Sequence, residues 1–173
     1  MCHETWTKSE GQPKPEEVGS ITLPDGTTMP AWTYRPAEPK ATCIVLPDIY
    51  GPSPFYHYVT AQLAAAGYEA TLVEYFVREG ALAEKSREAA FARRAQMNEN
   101  TCLADISTAI DVLAGGDDSR KGLVGFCLSG TFAWDITTMR SDLATVTYYG
   151  FPEGSPMRPA RSTLPRQQRQ RIE

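Results

Sequence analysis

Residues 121–134 read KGLVGFCLSGTFAW: an apolar run that stops at small residues around a cysteine and resumes at helical spacing. Few other stretches of 14 residues restrict a fold so tightly. A buried strand that turns directly into a helix must bend sharply, and the residue at the bend takes a strained backbone conformation. Its neighbours two positions away on either side must then be small. Gly125 and Ser129 meet that demand around Cys127, with Gly130 directly behind. Cys127 also falls at a helix N-terminus, where unpaired N–H groups and the helix dipole favour a thiolate. The N–H of Leu128 points to where an oxyanion would form on an attacked carbonyl. A small-x-Cys-x-small pattern alone is also what a packing cysteine shows. The strand before it and the helix after it favour a nucleophile.

The flanking sequence supplies a sheet for this turn to sit in. ITLPDGTTMPAWTYRP reads as two short strands around a turn, with Asp25-Gly26 tolerating positive φ. TCIVLP is a short β-branched run of the kind buried on both faces. After DIYGPSP comes a helix, with Ser53 as N-cap, Pro54 at N1, Phe55, Val59, Leu63 and Ala66 on one face, and Gly67 at C′. YEATLVEYF follows as a second buried strand, so the unit is a parallel crossover. Residues 78–100 are charged and alanine-rich, which predicts an exposed helical excursion. Leu103, Ile106, Ile110 and Leu113 mark a helix ending at Gly115-Gly116. KGLVGF and LATVTYYG complete four strands predicted to be parallel and buried. The alternating order predicts an α/β, mostly parallel, doubly wound sheet with an N-terminal β-hairpin.

Composition narrows the function. The chain has 173 residues, 42% hydrophobic and 22% charged, with net charge −4. That charge is uneven: Arg158, Arg161, Arg166, Arg169 and Arg171 face Glu173 alone in the tail, so the body is strongly acidic. An acidic body lacks the electrostatic footprint of a nucleic-acid binder. No apolar run approaches the ~18 residues of a membrane span. The opening MCHETWTKSEGQPKPEE has no apolar core of a secretory signal, so the expected compartment is cytoplasmic. Cys2, Cys43, Cys102 and Cys127 form no C-x-x-C pair and are expected as free thiols. Cys2-His3 has no second pair at zinc-ligand spacing.

VLPDIYGPSPFYHYVTAQLAAAGY, VEYFVREG, GLVGFCLSGTFAW and TVTYYGFPEGSP, in that order, resemble segments of the dienelactone hydrolase family. The resemblance covers roughly residues 20–156. It implies an α/β-hydrolase fold and a Cys-His-Asp triad acting on small lactones or carboxylic esters, with no metal or organic cofactor. By position, Cys127 matches the nucleophile, while Leu128 and Ile49 match the backbone oxyanion donors. Asp48 falls where the family has a glutamate that contacts the resting thiol. Arg78 falls where it has an arginine that holds a substrate carboxylate. Without the resemblance, Asp48 reads as a turn cap before Gly51 and Arg78 as a surface charge. Asp48 is one methylene shorter than glutamate, and Ser129 replaces the usual glycine of G-x-C-x-G-G.

An acyl-enzyme needs a base and a carboxylate to orient it. The family carries both beyond the segment matching TVTYYG. The histidines of this sequence are His3 and His57, and His57 falls on ordinary helix surface. The expected organisation is a flexible lead-in at 1–19, an incomplete α/β-hydrolase domain at 20–156 and a disordered Arg-rich tail at 157–173. The change of composition after Pro156 suggests a shifted reading frame or an incomplete coding region. The expected function is a dienelactone hydrolase-like enzyme with impaired turnover and an exposed sheet edge open to self-association. Alternatives are a non-catalytic chain binding small carboxylates through Arg78, and thiol redox sensing at Cys127, for which no resolving cysteine is near.

Overall fold

The structure is a computed structural model that describes residues 14–115 and 120–152. Its frame is a six-stranded sheet. β1 (Glu17–Thr22) and β2 (Thr28–Tyr34) form the hairpin, β3 is Thr42–Leu46, β4 Glu69–Val73, β5 Lys121–Phe126 and β6 Leu143–Tyr148. Four helices connect them: α1 (Pro54–Ala65), α2 (Arg87–Gln96), α3 (Glu99–Ala114) and α4 (Leu128–Met139). The strand order is β1-β2-β4-β3-β5-β6, with β4, β3, β5 and β6 parallel, β2 antiparallel to β4 and β1 antiparallel to β2.

The short apolar runs form central strands because both of their faces are covered. Along them side chains alternate between two cores, as a period of two requires. Cys43, Val45, Ala70, Leu72, Val124 and Phe126 pack with Tyr56 of α1 on one face. Ile44, Leu46, Val73 and Leu123 pack with residues of α3 and α4 on the other. Each fully buried aliphatic or aromatic side chain contributes roughly 1.5–3 kcal/mol, so the three middle strands dominate the stability.

Several local expectations changed in the fold. The first strand begins at Glu17, inside the expected lead-in, because Glu17 pairs across to Thr33. The hairpin closes through five residues from Thr22 to Thr28, and within that connection only Gly26 takes positive φ. Asp25 instead accepts from the Thr27 N–H at 3.0 Å. Ser53 occupies the N-cap position of α1 with Pro54 following, yet its hydroxyl makes no capping bond. Gly67 ends that helix at φ +97, donating to the Ala64 carbonyl. The excursion at 78–100 is not simply exposed: α2 buries Ala90 and Arg93, and Met97 follows them into the interior. β6 is not buried on both faces either. It is an edge strand, and its residues alternate between half-buried and exposed, with Val146 and Tyr148 each 48% exposed. The expected tail, His3 and Gly116 lie outside the described residues.

His57 lies over the hairpin side of the sheet. Its Nδ1 is 2.8 Å from the Tyr34 hydroxyl, and Trp32 meets the ring edge-on. Burial pushes the imidazole below its ordinary pKa, and burial first, with Glu16 nearby, lifts the Tyr34 phenol to about 12. The tyrosine therefore stays protonated, and a single hydrogen bond links its hydroxyl to the neutral ring. An unfolded chain binds the proton more readily, so stability is lost as pH falls below about 6.5 and continues to fall until the folded imidazole also protonates. We expect the urea midpoint to drop between about pH 7.5 and 5.5, and His57→Gln to reduce that drop. Equal drops in both proteins would show that His57 is not the group responsible.

Candidate active site

β3 sends the chain to β4 on one side, while β5 and β6 lie on its other side. The sheet thus reverses its winding between β3 and β5, and ligands of open α/β sheets bind beyond the carboxyl ends at such a point. Leu46 is paired with Gly125. The segments beyond the two strands, Pro47–Ile49 and Cys127–Leu128, therefore leave the sheet side by side. Both proposed oxyanion donors and Cys127 are on them.

Cys127 joins β5 to α4 at φ 57, ψ −114, a region that L residues rarely adopt. Such strain costs roughly 1–3 kcal/mol and persists only where the surroundings enforce it. Here glycines do so by allowing backbone to touch backbone. A Cβ on Gly125 would meet the Ser129 carbonyl at 2.4 Å, one on Gly130 the Tyr148 carbonyl at 2.8 Å, and one on Gly150 the Gly130 carbonyl carbon at 2.3 Å. The Cys127 N–H donates to the Tyr148 carbonyl at 2.7 Å, which ties the bend to the end of β6. Tyr149, just beyond, is the other described non-glycine residue at positive φ.

Ser129 replaces a glycine at a crowded place, and the structure shows what its side chain does there. The hydroxyl is fully buried, accepts from the Phe126 N–H at 2.9 Å and lies 2.8 Å from the Leu46 carbonyl and 3.0 Å from that of Phe126. It therefore ties the bend to the end of β3. Of the described cysteines, Cys43 and Cys102 are buried and Cys127 is half-buried. Burial pushes the Cys43 thiol up to about 11 and raises Cys102 as well, so both are poor nucleophiles.

The loop after β3 is held from several directions. Asp48 is buried; its Oδ1 accepts from the Tyr50 N–H at 2.9 Å, and its carbonyl accepts from the Gly51 N–H at 3.0 Å. It does cap a turn, as its residue type alone suggests. Tyr56 lies against it, and burial first, then the Asp48 carboxylate and Cys127, raise that phenol's pKa. Asp48 and Cys127 thus share one buried tyrosine as neighbour. Among the described residues, no backbone hydrogen bond involves the Ile49 or Leu128 N–H as donor.

Arg78 follows β4 at the same sheet edge but is already engaged. Its Nε and Nη2 grip Asp105 at 2.5 and 2.9 Å, and Nη1 reaches Asp25 at 2.7 Å. The guanidinium ties the hairpin turn to α3 and holds two resident carboxylates. His57, packed over β2, is three strand spacings from β5, roughly 14 Å in the sheet. Tyr75, Arg93 and Gly150 were not singled out from sequence. Their partners lie 13 to 44 residues away, and no local pattern marks them.

A mixed, mostly parallel sheet with a strained residue at the β5–α4 bend, placed at the switch point, defines an α/β-hydrolase type of fold. Residues 29–170 match the dienelactone hydrolase family. The chain belongs to that family. The match continues past residue 156, where sequence reading saw organisation end. The chain is 31% identical over 159 residues to a carboxymethylenebutenolidase of Rhodococcus opacus, covering 90% of this chain and 62% of that one. It is 37% identical over 155 residues to carboxymethylenebutenolidase 2 of Cupriavidus pinatubonensis, covering 89% and 61%. It therefore spans about three fifths of the length of these relatives. A Klebsiella pneumoniae structure assigned as a dienelactone hydrolase superposes with TM-score 0.68 at 28% identity, over 78% of this chain and 60% of that one. The Anabaena variabilis dienelactone hydrolase shares the fold at TM-score 0.59 and 17% identity, over 79% and 63%.

Ser129→Ala removes the acceptor for the Phe126 N–H and a partner of two buried carbonyls. We expect it to cost about 1–3 kcal/mol in denaturant unfolding. A stability equal to that of the unchanged protein would show that these bonds contribute nothing.

Proposed function

We propose that Cys127 is the nucleophile of a hydrolase acting on small lactones or carboxylic esters. The observation that supports this reading best is the Cys127 backbone, held at φ 57 where a strand ends and a helix begins. Leu128 is the first residue of that helix, a position whose N–H has no partner within the helix. The sulfur attacks the carbonyl carbon, an S–C bond forms, and the charge on the carbonyl oxygen is received by the Leu128 and Ile49 N–H groups. Collapse of this intermediate breaks the C–O bond. A lactone opens to an acyl-enzyme that retains its own hydroxyl, whereas an ester releases its alcohol. The thiol proton ends on the departing oxygen. Asp48 sits beside this centre as a buried carboxylate.

Deacylation is the impaired half of the cycle. It needs a base beside Cys127, and the one histidine among the described residues, His57, is committed to Tyr34 on the far side of two strands. Arg78 binds a substrate carboxylate only by releasing Asp105 or Asp25, so it recognises substrate weakly in this reading. Self-association, where it occurs, uses the exposed β6 edge.

The test is a p-nitrophenyl ester. We expect release of about one equivalent of nitrophenol, an acyl adduct on Cys127 by mass spectrometry, and little turnover afterwards. Cys127→Ala abolishes both release and adduct. Fast sustained turnover would overturn the impairment. Absence of any adduct on Cys127 would overturn the nucleophile and leave a non-catalytic chain.

A further inference from the structure

The Asp48–Ile49 and Ile49–Tyr50 peptides are each held at the carbonyl by a buried side chain that the proposed chemistry does not use. The Tyr75 hydroxyl donates to the Asp48 carbonyl at 3.1 Å. Arg93 Nη2 donates to the Ile49 carbonyl at 2.8 Å, and its Nη1 reaches the Gly80 carbonyl at 3.3 Å. Tyr75 is 1% exposed and Arg93 5%. Tyr75 packs edge-on against Phe132 of α4 at 5.8 Å, and the Arg93 guanidinium stacks 3.9 Å over Phe76. Both donors are therefore anchored in the core and have little freedom to follow a moving loop.

A peptide unit is planar and trans, so its N–H points opposite to its C=O. Holding the Asp48 carbonyl on the Tyr75 side thus directs the Ile49 N–H the other way. Holding the next carbonyl, on Arg93, fixes the second peptide plane at the same Cα. The Tyr50 N–H on Asp48 Oδ1 holds that second plane from its other edge. We propose that Tyr75 and Arg93 are positioning residues that form a carbonyl clamp, presetting the Ile49 N–H to receive an oxyanion. This rests on the reading of Ile49 as a donor beside Cys127.

The chemistry of the two side chains fits the role. Burial raises the Tyr75 phenol well above its ordinary value, so it stays a donor. Arg93 is buried beside Glu74, whose pKa burial raises and the guanidinium partly restores. Its Nε lacks a hydrogen-bond partner among the described residues. Burying an incompletely bonded guanidinium is costly, and an apolar side chain would fill the space at lower cost. What the apolar side chain cannot supply is a donor to the Ile49 carbonyl.

A preset oxyanion donor matters for acyl transfer and not for alkylation, because displacement of iodide from iodoacetamide builds no charge on a carbonyl oxygen. The experiment measures both reactions at Cys127 in the full chain, with p-nitrophenyl acetate and iodoacetamide as probes. The proteins compared are the unchanged one, Tyr75→Phe and Arg93→Lys. Losing a whole oxyanion donor costs about 10²–10³ in rate, so we expect a misaimed one to slow acylation about tenfold in each variant. Alkylation is expected to stay within about twofold, because the thiol and its helix N-terminus are untouched. Acylation at the original rate in Tyr75→Phe overturns the clamp. An equal loss of both reactions also overturns it, since the side chains then merely support the fold. Should Arg93→Lys fail to unfold cooperatively, Tyr75→Phe decides alone, because it removes a single oxygen from a packed ring. If the unchanged protein is alkylated but not acylated, the nucleophile reading fails and the clamp fails with it.

Discussion

Close contact of backbone with backbone around Cys127 is the constraint on which the rest of this structure depends. Gly125, Gly130 and Gly150 come from a strand, a helix and the segment after another strand, and each occupies space that any Cβ would contest. Their contact lets α4 start immediately at the end of β5 and lets β6 end against the same bend. The strained cysteine is therefore held by elements on both sides of it. Ser129 extends the grip to β3 through the Leu46 carbonyl. Strain at one residue is affordable because four elements share the task of holding it.

That grip also explains why the loop after β3 belongs to the site. β3 and β5 are neighbours in the sheet but 75 residues separate Leu46 from Lys121 in the chain, and the winding reverses between them. A carbonyl attacked by Cys127 would lie between two loops that leave parallel strands at the same level. One loop supplies a helix N-terminus. The other is irregular and has no helix to aim its N–H groups, so its carbonyls are tied instead to Tyr75 and Arg93 from the core side. In the proposed clamp, the charged stretch that carries Arg93 acquires a purpose that exposure alone would not give it. Arg78, five residues after the end of β4, is consumed by Asp105 and Asp25 and acts as a strut between the hairpin and α3.

Much of this architecture was legible in the residues. The buried runs TCIVL, EATLV and KGLVGF became the central strands, and the helix after DIYGPSP began at Pro54 and closed at Gly67, because periodicity and turn chemistry are local properties. The bend at Cys127 was legible for the same reason: strand, small residues and helix all lie within one short segment. LATVTY was read both as a buried run and as an exposed edge, because apolar composition does not tell an edge strand from a central one; the presence of neighbours on both sides does. The 78–100 stretch was misread because alanine and arginine do not reveal which face meets the core.

The sequence alone determined that Cys127 stands at a strand–helix bend, that its flanking residues are small, and that a parallel α/β sheet surrounds it. Those are consequences of steric size and hydrophobic period over a few residues. Only the tertiary structure decided that β3 lies beside β5, that Ser129 fastens one to the other, that Gly150 closes the bend from 20 residues beyond Gly130, and that Tyr75 and Arg93 grip the loop of Ile49. These contacts join residues far apart in the chain. Their geometry follows from the order in which strands enter the sheet, and no local pattern of residue types encodes that order.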